Sequence, residues 1–228
     1  MESTLRSHWR GKKCLVLLSG GIDSAVALYW AIHTGLEVVE AVTFDYFHRS
    51  LKEISATESV AHRNAIRLTK IRLPFLKEIL DCVGKIHNQR LKNAPDAYIP
   101  ARNIIFYGIA SHIAEILGAN FIVGGHNKDD TLLFPDSSVK FFDKLNAAIK
   151  IGLYSEGAAC KVILPLSNLT KVQVIRLGAT LNVPFEITWS CQTTRRKPCG
   201  VCHSCALRSL SFRKAGIEDP LLNQLKIR

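Results

Sequence analysis

The sequence predicts an α/β protein with a Rossmann-like parallel sheet and a small, cysteine-rich C-terminal module. Three observations support this prediction: short apolar runs alternate with longer segments of helical period, the first apolar run ends at a pair of glycines, and four cysteines cluster near the C-terminus. Short apolar runs that alternate with helices are typical of βαβ units, whose parallel strands are buried on both faces.

The predicted strands are rich in apolar and β-branched residues: Cys14–Leu18, Val38–Phe44, Ile71–Phe75, Phe121–Gly124 and Lys161–Leu166. The predicted helices lie between and after them: Ser24–Thr34, Leu51–Leu68, Asn103–Leu117, Val139–Ile149 and Lys171–Leu181. The first strand is apolar throughout, which favours a central position in the sheet. Thr170 is a candidate N-cap, and Gly118 is a candidate helix stop.

Two segments depart from this alternation. Gly84–Pro100 is polar and has no clear period, so we expect a long loop or a lid, because loops of that length in compact domains are usually functional or disordered. From about Ile187 onward the composition shifts toward Cys, Arg and Lys. We therefore divide the chain into a main domain at 1–186 and a cysteine-rich module at 187–228.

The composition restricts the class of protein. Hydrophobic residues make up 47% and charged residues 21% of the 228 residues, which excludes wholesale disorder. No apolar run approaches the roughly 20 residues of a membrane span, and Met1–Arg10 does not have the apolar core of an export signal. We expect a cytoplasmic protein without a membrane partner. The formal net charge of +11 favours anionic partners such as nucleotides, acidic metabolites or RNA.

A predicted phosphate loop joins the first strand to the first helix, with the sequence Ser19-Gly20-Gly21-Ile22-Asp23-Ser24. Two glycines let the backbone turn sharply, and successive N–H groups at a helix start can converge on an anion. The serine hydroxyls can donate to phosphate oxygens, whereas the Asp23 carboxylate needs a cation such as Mg²⁺ between itself and phosphate. The alternative is an ordinary βα turn with a serine N-cap. The whole string resembles the PP-loop of N-type ATP pyrophosphatases, which implies ATP binding.

The cysteines indicate a metal site. Four of the seven lie within 15 residues: Cys191, Cys199, Cys202 and Cys205. Four thiolates satisfy the tetrahedral coordination of one Zn²⁺ and leave no open position, so we expect a structural ion. His203 is a competing ligand, ranked below Cys191. An iron–sulfur cluster, redox disulfides and unpaired buried thiols remain alternatives.

Further segments resemble the QueC family of 7-cyano-7-deazaguanine synthases, and the resemblance covers nearly the whole chain. The matching segments are Thr43–Tyr46 at the end of the second strand, Pro100–Asn103 for the family's Pro-Gly-Arg-Asn, Phe134–Asp136 for its Tyr-Pro-Asp, Ser190-Cys191, and Cys199–Arg208 for its zinc module. The resemblance implies that residues 1–186 bind ATP and substrate and that residues 187–228 bind zinc.

The resemblance also implies an activity. The family converts 7-carboxy-7-deazaguanine, ammonia and ATP into a nitrile: the carboxylate is adenylated, ammonia gives the amide, and the amide oxygen is then activated and expelled. By this resemblance, ATP and Mg²⁺ are bound by the phosphate loop, at Ser19, Gly20, Gly21, Asp23 and Ser24. The substrate is bound by Arg102, Asn103, Pro135 and Asp136. The catalytic candidates are Asp23, Arg102 and Asp130. A homodimer is also implied.

Each of these roles has a plainer structural alternative. Arg102 can be a surface residue at a helix start, Asp136 can be a turn or cap residue, and Asp129 and Asp130 can be helix caps.

The chain departs from the family pattern near the substrate. After the second strand the family has Gln-Arg-His followed by Glu, and here His48 and Ser50 flank the arginine. Ala101 replaces a glycine, and Ser137-Ser138 replaces Cys-Arg. Two other functions therefore stay open: adenylation of the deazapurine carboxylate for transfer to another amine, such as a protein terminus, and tRNA modification by a PP-loop enzyme. A nucleic-acid partner is not expected, because the sequence has no separate RNA-binding domain. A metal-binding scaffold without catalysis is the plainest alternative.

Overall fold

The fold is described from a computed structural model, which covers residues 9–47, 49–83, 98–154, 160–193 and 197–226. Most of the predicted loop or lid at Gly84–Pro100, most of the segment Met1–Arg10, and His48 lie outside the described residues. None of the described helices is long and apolar enough to cross a membrane.

Five parallel strands form one sheet in the order β3-β2-β1-β4-β5. The strands are β1 (Lys13–Leu17), β2 (Glu37–Asp45), β3 (Leu68–Arg72), β4 (Phe121–Val123) and β5 (Lys161–Ile163). The chain adds strands on one side of β1 and then continues on the other side, so the strand order reverses between β1 and β4. Open α/β sheets bind ligands at this switch point, beyond the carboxyl ends of the strands. The predicted α/β class and central β1 are confirmed.

Helices cover both faces of the sheet. They are α1 (Ile22–His33), α2 (Leu51–Arg63), α3 (Phe75–Val83), α4 (Arg102–Leu117), α5 (Lys128–Leu133), α6 (Val139–Gly152), α7 (Lys171–Thr180), α8 (His203–Ala215) and α9 (Pro220–Lys226). Short 3₁₀ turns lie at Pro135–Ser137 and Phe185–Ile187. One apolar core joins β1 to α1, α2, α7 and α8, and a second core joins the other face of the sheet to α3, α4 and α6.

Both predicted helix signals occur in the structure. The Thr170 side chain accepts a hydrogen bond from the Gln173 N–H in a capping box at the start of α7. Gly118 ends α4 with a left-handed φ of 62°. Each device satisfies backbone groups that a helix end leaves unpaired, so both ends are fixed locally by the sequence.

Several predicted boundaries differ, most of all around the third strand. The helix predicted over Leu51–Leu68 ends at Arg63, because Asn64 and Ala65 turn the chain, with a φ of 52° at Ala65. The third strand accordingly starts earlier than predicted, at Leu68, and Phe75 begins α3 instead of ending a strand. Pairing of Leu68 with Ala41 of β2 fixes this register, and that long-range contact has no local sequence signal.

The cysteine-rich segment packs on the main domain. Phe212 of α8 lies in the same core as α1, and its ring centroid is 5.2 Å from that of Phe185 in an edge-to-face contact. The division at residue 187 stays a prediction.

Candidate nucleotide site and metal centre

The chain bends at Gly20, between the end of β1 and the start of α1. Gly20 has a φ of +81°, and a Cβ there would lie 2.6 Å from the Thr57 nitrogen and 2.7 Å from the Glu53 carbonyl oxygen of α2. Both the left-handed conformation and the close approach exclude any side chain at this position. The predicted glycine turn therefore depends on direct packing of the loop against the backbone of α2.

The two loop serines point toward each other across the bend. The Ser19 and Ser24 hydroxyl oxygens are 3.0 Å apart, and the Ser24 hydroxyl accepts from the Ser19 N–H at 3.1 Å and donates to the Gly21 carbonyl at 3.1 Å. The helix N-cap is Gly21, without a side-chain cap hydrogen bond, so the ordinary turn with a serine N-cap does not describe this loop. Free N–H groups at the start of the 12-residue α1 attract an anion.

Arg49 holds the loop from the side of β2. Its guanidinium donates to the Ser19 carbonyl at 2.6 Å and to the Thr57 hydroxyl at 3.0 Å. It also donates to the Thr43 hydroxyl at 2.6 Å and the Phe44 carbonyl at 2.9 Å. One side chain thus joins β2, α2 and the phosphate loop, a role that the sequence motif did not reveal.

Trp189 connects the loop to the cysteine-rich segment. Its backbone N–H donates to the Gly20 carbonyl at 2.9 Å, and its indole N–H donates to the Cys191 carbonyl at 2.8 Å. The two predicted sites are therefore neighbours in space, and sequence spacing gives no indication of this contact.

A carboxylate pair lies at the floor of the cavity beside the phosphate loop. Asp23 forms an ion pair with Lys171 through Oδ2, and its buried Oδ1 has no hydrogen-bond partner among the described residues. Burial, and then the charge of Asp23, raise the pKa of Asp130 to about 6. An unpartnered buried carboxylate oxygen beside a second carboxylate fits Mg²⁺, which prefers oxygen ligands.

The two acidic residues of α5 have different surroundings. Asp129 accepts a hydrogen bond from the Lys171 N–H at 2.9 Å and thereby caps α7. Asp130 completes a capping box with Asn127 and also lines the cavity. Asp129 therefore acts only as a helix cap, as the structural alternative predicted. Asp130 is both a helix cap and a residue of the cavity lining.

Arg102 and Asn103 begin α4 and line the same cavity. The Asn103 N–H donates to Asp136 Oδ2 at 3.1 Å, and the Asn103 side chain donates to the Asp136 carbonyl at 2.9 Å. Asp136 thus caps α4, in line with its structural alternative, and neither Asp136 nor Pro135 is among the lining residues. The structure brings together the phosphate loop, Arg102, Asn103 and Asp130, and it holds the Pro135–Asp136 turn against Asn103, outside the cavity lining.

The cavity has a volume of about 300 Å³ and opens where the strand order reverses. Its polar wall is the phosphate loop with Asp130 and Arg102, and its apolar wall contains Val42, Phe44, Phe106 and Tyr107. An anionic tail and a flat ring system can therefore be bound together, which suits a nucleotide or a bicyclic acid.

The four clustered cysteines form a metal-binding geometry. Cys191, Cys199, Cys202 and Cys205 place their sulfurs within 4.8 Å of one another. The Cys199 and Cys205 sulfurs are 3.9 Å apart, close to the roughly 3.8 Å expected in a tetrahedral zinc–thiolate site. His203 is not in this group. Across the described ranges, no other group of three or more potential ligands has this geometry.

Backbone N–H groups favour the thiolate forms. The Cys202 N–H donates to the Cys199 sulfur at 3.3 Å, and such hydrogen bonds lower the pKa of Cys199 to about 6. The Cys199 N–H donates likewise to the Cys191 sulfur at 3.3 Å. Thiolates are the form that binds metal ions.

Arg208 fixes the segment that carries Trp189 and Cys191. This buried side chain makes two hydrogen bonds with Asp219, at 2.7 and 2.8 Å, and also donates to backbone carbonyls of Phe185 and Thr188. A buried guanidinium requires such full pairing, because an unpaired charge there is strongly destabilising.

These features together define an α/β protein with the PP-loop fold. Two solved structures share the fold. The U34-tRNA thiolase NcsA from Methanococcus maripaludis has a TM-score of 0.51 at 16% identity, covering 94% of this chain and 70% of that chain. A 4-thiouridine synthetase in complex with RNA and ATP has a TM-score of 0.54 at 20% identity, covering 90% and 51%. At these identities the similarity concerns the fold alone.

Sequence relatives are more specific. Residues 13–216 match the family of the queuosine biosynthesis protein QueC. A 7-cyano-7-deazaguanine synthase of Thermoplasma volcanium is 37% identical over 221 residues, which cover 92% of this chain and 90% of that protein. One of Trichodesmium erythraeum is 33% identical over 230 residues, covering 92% and 100%. The chain belongs to the QueC family.

Gly20→Ala tests the phosphate loop. We expect the added methyl group to push the loop away from α2, which lowers stability by about 1–3 kcal/mol and weakens ATP binding at least tenfold, measured by thermal unfolding and calorimetry. Gly118→Ala is the matched control, because Gly118 also has a positive φ but its Cβ would meet no atom within 4 Å. It should lose a similar amount of backbone stability and keep its ATP affinity. Unchanged ATP binding in Gly20→Ala would contradict the assignment.

Asp130→Asn tests the raised pKa of Asp130. The pKa of Asp130 in the folded protein, about 6, lies above its ordinary value of 3.8, so ionisation of Asp130 costs stability as pH rises from about 4 to 6. At pH 7.5 the neutral variant should be more stable than the wild type by roughly 1–3 kcal/mol, and the difference should vanish near pH 4. Urea unfolding across this range measures it. Asp143→Asn, at an exposed position on α6, should show no such pH-dependent gain.

Proposed function

We propose that the protein is an ATP-dependent carbon–nitrogen ligase, a 7-cyano-7-deazaguanine synthase that uses 7-carboxy-7-deazaguanine and ammonia. The observation that carries the proposal is the shared cavity of this QueC family chain, where an anion-binding bend and the Arg102–Asn103 helix start face each other at the sheet switch point.

The phosphate loop is the ATP site in this proposal. N–H groups at Gly20 and Gly21, with the Ser19 hydroxyl, donate to phosphate oxygens, and the N-terminus of α1 adds partial positive charge. The Ser24 hydroxyl holds the bend through its hydrogen bond to the Gly21 carbonyl. Asp23, through its free Oδ1, and Asp130 would hold Mg²⁺, which offsets the negative charge of the triphosphate when bound.

The deazapurine acid would occupy the apolar wall beside Arg102. Arg102 carries the positive charge that a carboxylate or phosphate requires, and Phe44 and Phe106, stacked with centroids 4.3 Å apart, supply a flat apolar surface. Asp136 is bonded through Oδ2 to Asn103, a residue of the cavity lining, and we assign its Oδ1 to a guanine-like N–H group that reaches past that lining. Asn103 and the Pro135 turn position that carboxylate.

The reaction has two activation stages. The substrate carboxylate attacks the α-phosphorus of ATP and pyrophosphate leaves; ammonia then attacks the acyl carbon, AMP leaves and the amide forms. The amide oxygen attacks the α-phosphorus of a second ATP and pyrophosphate leaves; loss of AMP and of two N–H protons then gives the nitrile. Asp130, largely ionised at neutral pH, is the proposed acceptor of a proton from the attacking nitrogen. Positioning and charge compensation in a small cavity supply most of the catalysis.

The cysteine cluster is proposed to hold one structural Zn²⁺. Four thiolates leave no coordination position for a substrate, so the ion stabilises the segment that carries Trp189. Reduced thiols and dependence on ATP support a cytoplasmic location. A homodimer, implied by the family resemblance, is also part of the proposal.

The direct test is incubation with ATP, Mg²⁺, ammonium and 7-carboxy-7-deazaguanine, followed by mass spectrometry. We expect the nitrile, with two AMP and two pyrophosphate molecules for each product. Amide alone, or an adduct with another amine, would favour transfer of the activated acid elsewhere. Thiolated tRNA would favour the tRNA-modifying alternative.

Asp136→Asn tests the substrate assignment. The asparagine oxygen can still cap α4, but an amide nitrogen replaces the second acceptor, so deazapurine affinity should fall roughly 10–100-fold. ATP affinity should be unchanged, and Asp143→Asn should keep both affinities. Calorimetry with each ligand measures them. Normal deazapurine binding by Asp136→Asn would remove Asp136 from the site.

Cys202→Ser tests the metal centre. Elemental analysis of the wild type should give one zinc per chain, without the visible absorption of an iron–sulfur cluster. Loss of one thiolate should lower both metal content and melting temperature. Because Trp189 holds the Gly20 carbonyl, ATP affinity should fall as well. His203→Ala, at an exposed position, should keep its metal. A melting temperature unchanged in Cys202→Ser would contradict a structural ion.

A further inference from the structure

His126 is a cavity side chain that the proposed reaction does not yet use. It follows β4 and lines the cavity, with its ring centroid 5.8 Å from that of Tyr107 and 5.2 Å from that of Phe142. The two aromatic contacts fix the imidazole plane. No hydrogen bond joins its ring nitrogens to any of the described residues, so its polar atoms are available to a ligand.

The backbone next to His126 is pressed against the phosphate loop. A Cβ at Gly125 would lie 2.9 Å from both the nitrogen and the Cα of Ser24, so no side chain separates the end of β4 from the first turn of α1. His126 lines the same cavity as the phosphate loop and Arg102, and the charges of both Arg102 and Asp23 act on it. An acyl adenylate joins the two ligands, so its carbonyl group would lie in the part of the cavity that these residues share.

Its surroundings keep the imidazole neutral. Burial and the nearby charge of Arg102 lower the pKa of His126 to about 4, against the opposing effect of Asp23. A neutral imidazole has one N–H donor and one acceptor nitrogen. It is a poor proton acceptor at neutral pH, but it can donate to a carbonyl oxygen, as neutral imidazoles do in other active sites.

We propose that His126 donates a hydrogen bond to the acyl oxygen of the adenylate while ammonia adds to the carbonyl carbon. This inference rests on the proposed function. As the nitrogen–carbon bond forms, the carbonyl electron pair moves to oxygen, and the charge that develops there is stabilised by the imidazole N–H. The C=O bond then re-forms, the carbon–oxygen bond to AMP breaks, and the proton from nitrogen passes to Asp130 or water.

The timing of this charge distinguishes His126 from the other donors. Lys171 is paired with Asp23, and Arg102 is assigned to an anion that is present from the start. The oxyanion appears only after the adenylate has formed. Loss of a residue that stabilises the oxyanion should therefore slow amide formation and leave the rate of adenylation nearly unchanged.

The test separates the two steps in His126→Phe, which keeps an aromatic ring but has no donor. Adenylation is measured as the exchange of labelled pyrophosphate into ATP that depends on the deazapurine acid. Aminolysis is measured as amide and nitrile formation. We expect exchange within about threefold of the wild type and aminolysis slower by roughly 100–1,000-fold.

Rescue and control variants complete the test. His126→Asn and His126→Gln place an amide N–H near the two ring nitrogens, and at least one should recover aminolysis tenfold or more over His126→Phe. His112→Phe, at an exposed position on α4, should match the wild type in both steps. If His126→Phe does not fold, as judged by its melting curve, His126→Leu serves as the donor-free variant.

Two results would overturn the inference. A parallel loss of exchange and aminolysis would make His126 a binding or packing residue, and normal aminolysis in both donor-free variants would exclude any role. If the wild-type protein shows no exchange of pyrophosphate into ATP when the deazapurine acid is present, the proposed function is wrong, and this inference falls with it.

Discussion

The site depends on one close approach, that of the Gly20 backbone to the backbone of α2. Because no Cβ intervenes, the chain can reverse directly after β1 and present its N–H groups to the cavity. Arg49 then fixes the Ser19 carbonyl, and the first turn of α1 follows in a defined orientation. A local conformational requirement thus sets the position of every donor that a phosphate would meet.

The second constraint is the support from the C-terminal segment. Trp189 joins the Gly20 carbonyl to Cys191, and the paired, buried Arg208 holds the intervening backbone. The cluster of cysteines is therefore part of the scaffold of the candidate nucleotide site, although Gly20 and Cys191 are 171 positions apart in the sequence. The buried charges of Arg208 and Asp219 offset each other.

Local sequence signals were sufficient for the main features of the protein. The apolar β1, the glycine bend and the four cysteines are set by short spacings, so the α/β class and the two sites could be predicted without a structure. Contacts between residues that are distant in sequence could not be predicted in this way. The Lys171–Asp23 ion pair spans 148 positions, and the Asn103–Asp136 cap spans 33, and neither has a periodicity that would indicate it. The helix before β3 was also predicted too long: it ends in a turn at Asn64 and Ala65, and pairing with β2 then sets the register of β3.

The contact between Gly125 and Ser24 has a consequence for how relatives of this chain can diversify. Not even a methyl group fits between these two segments, which leaves no room for variation at Gly125. The end of α5 is different: Leu132 and Leu133 are solvent-exposed, so side chains there can change without disturbing the packed layers. Relatives would therefore diversify at such exposed positions, with the contact at Gly125 inherited intact.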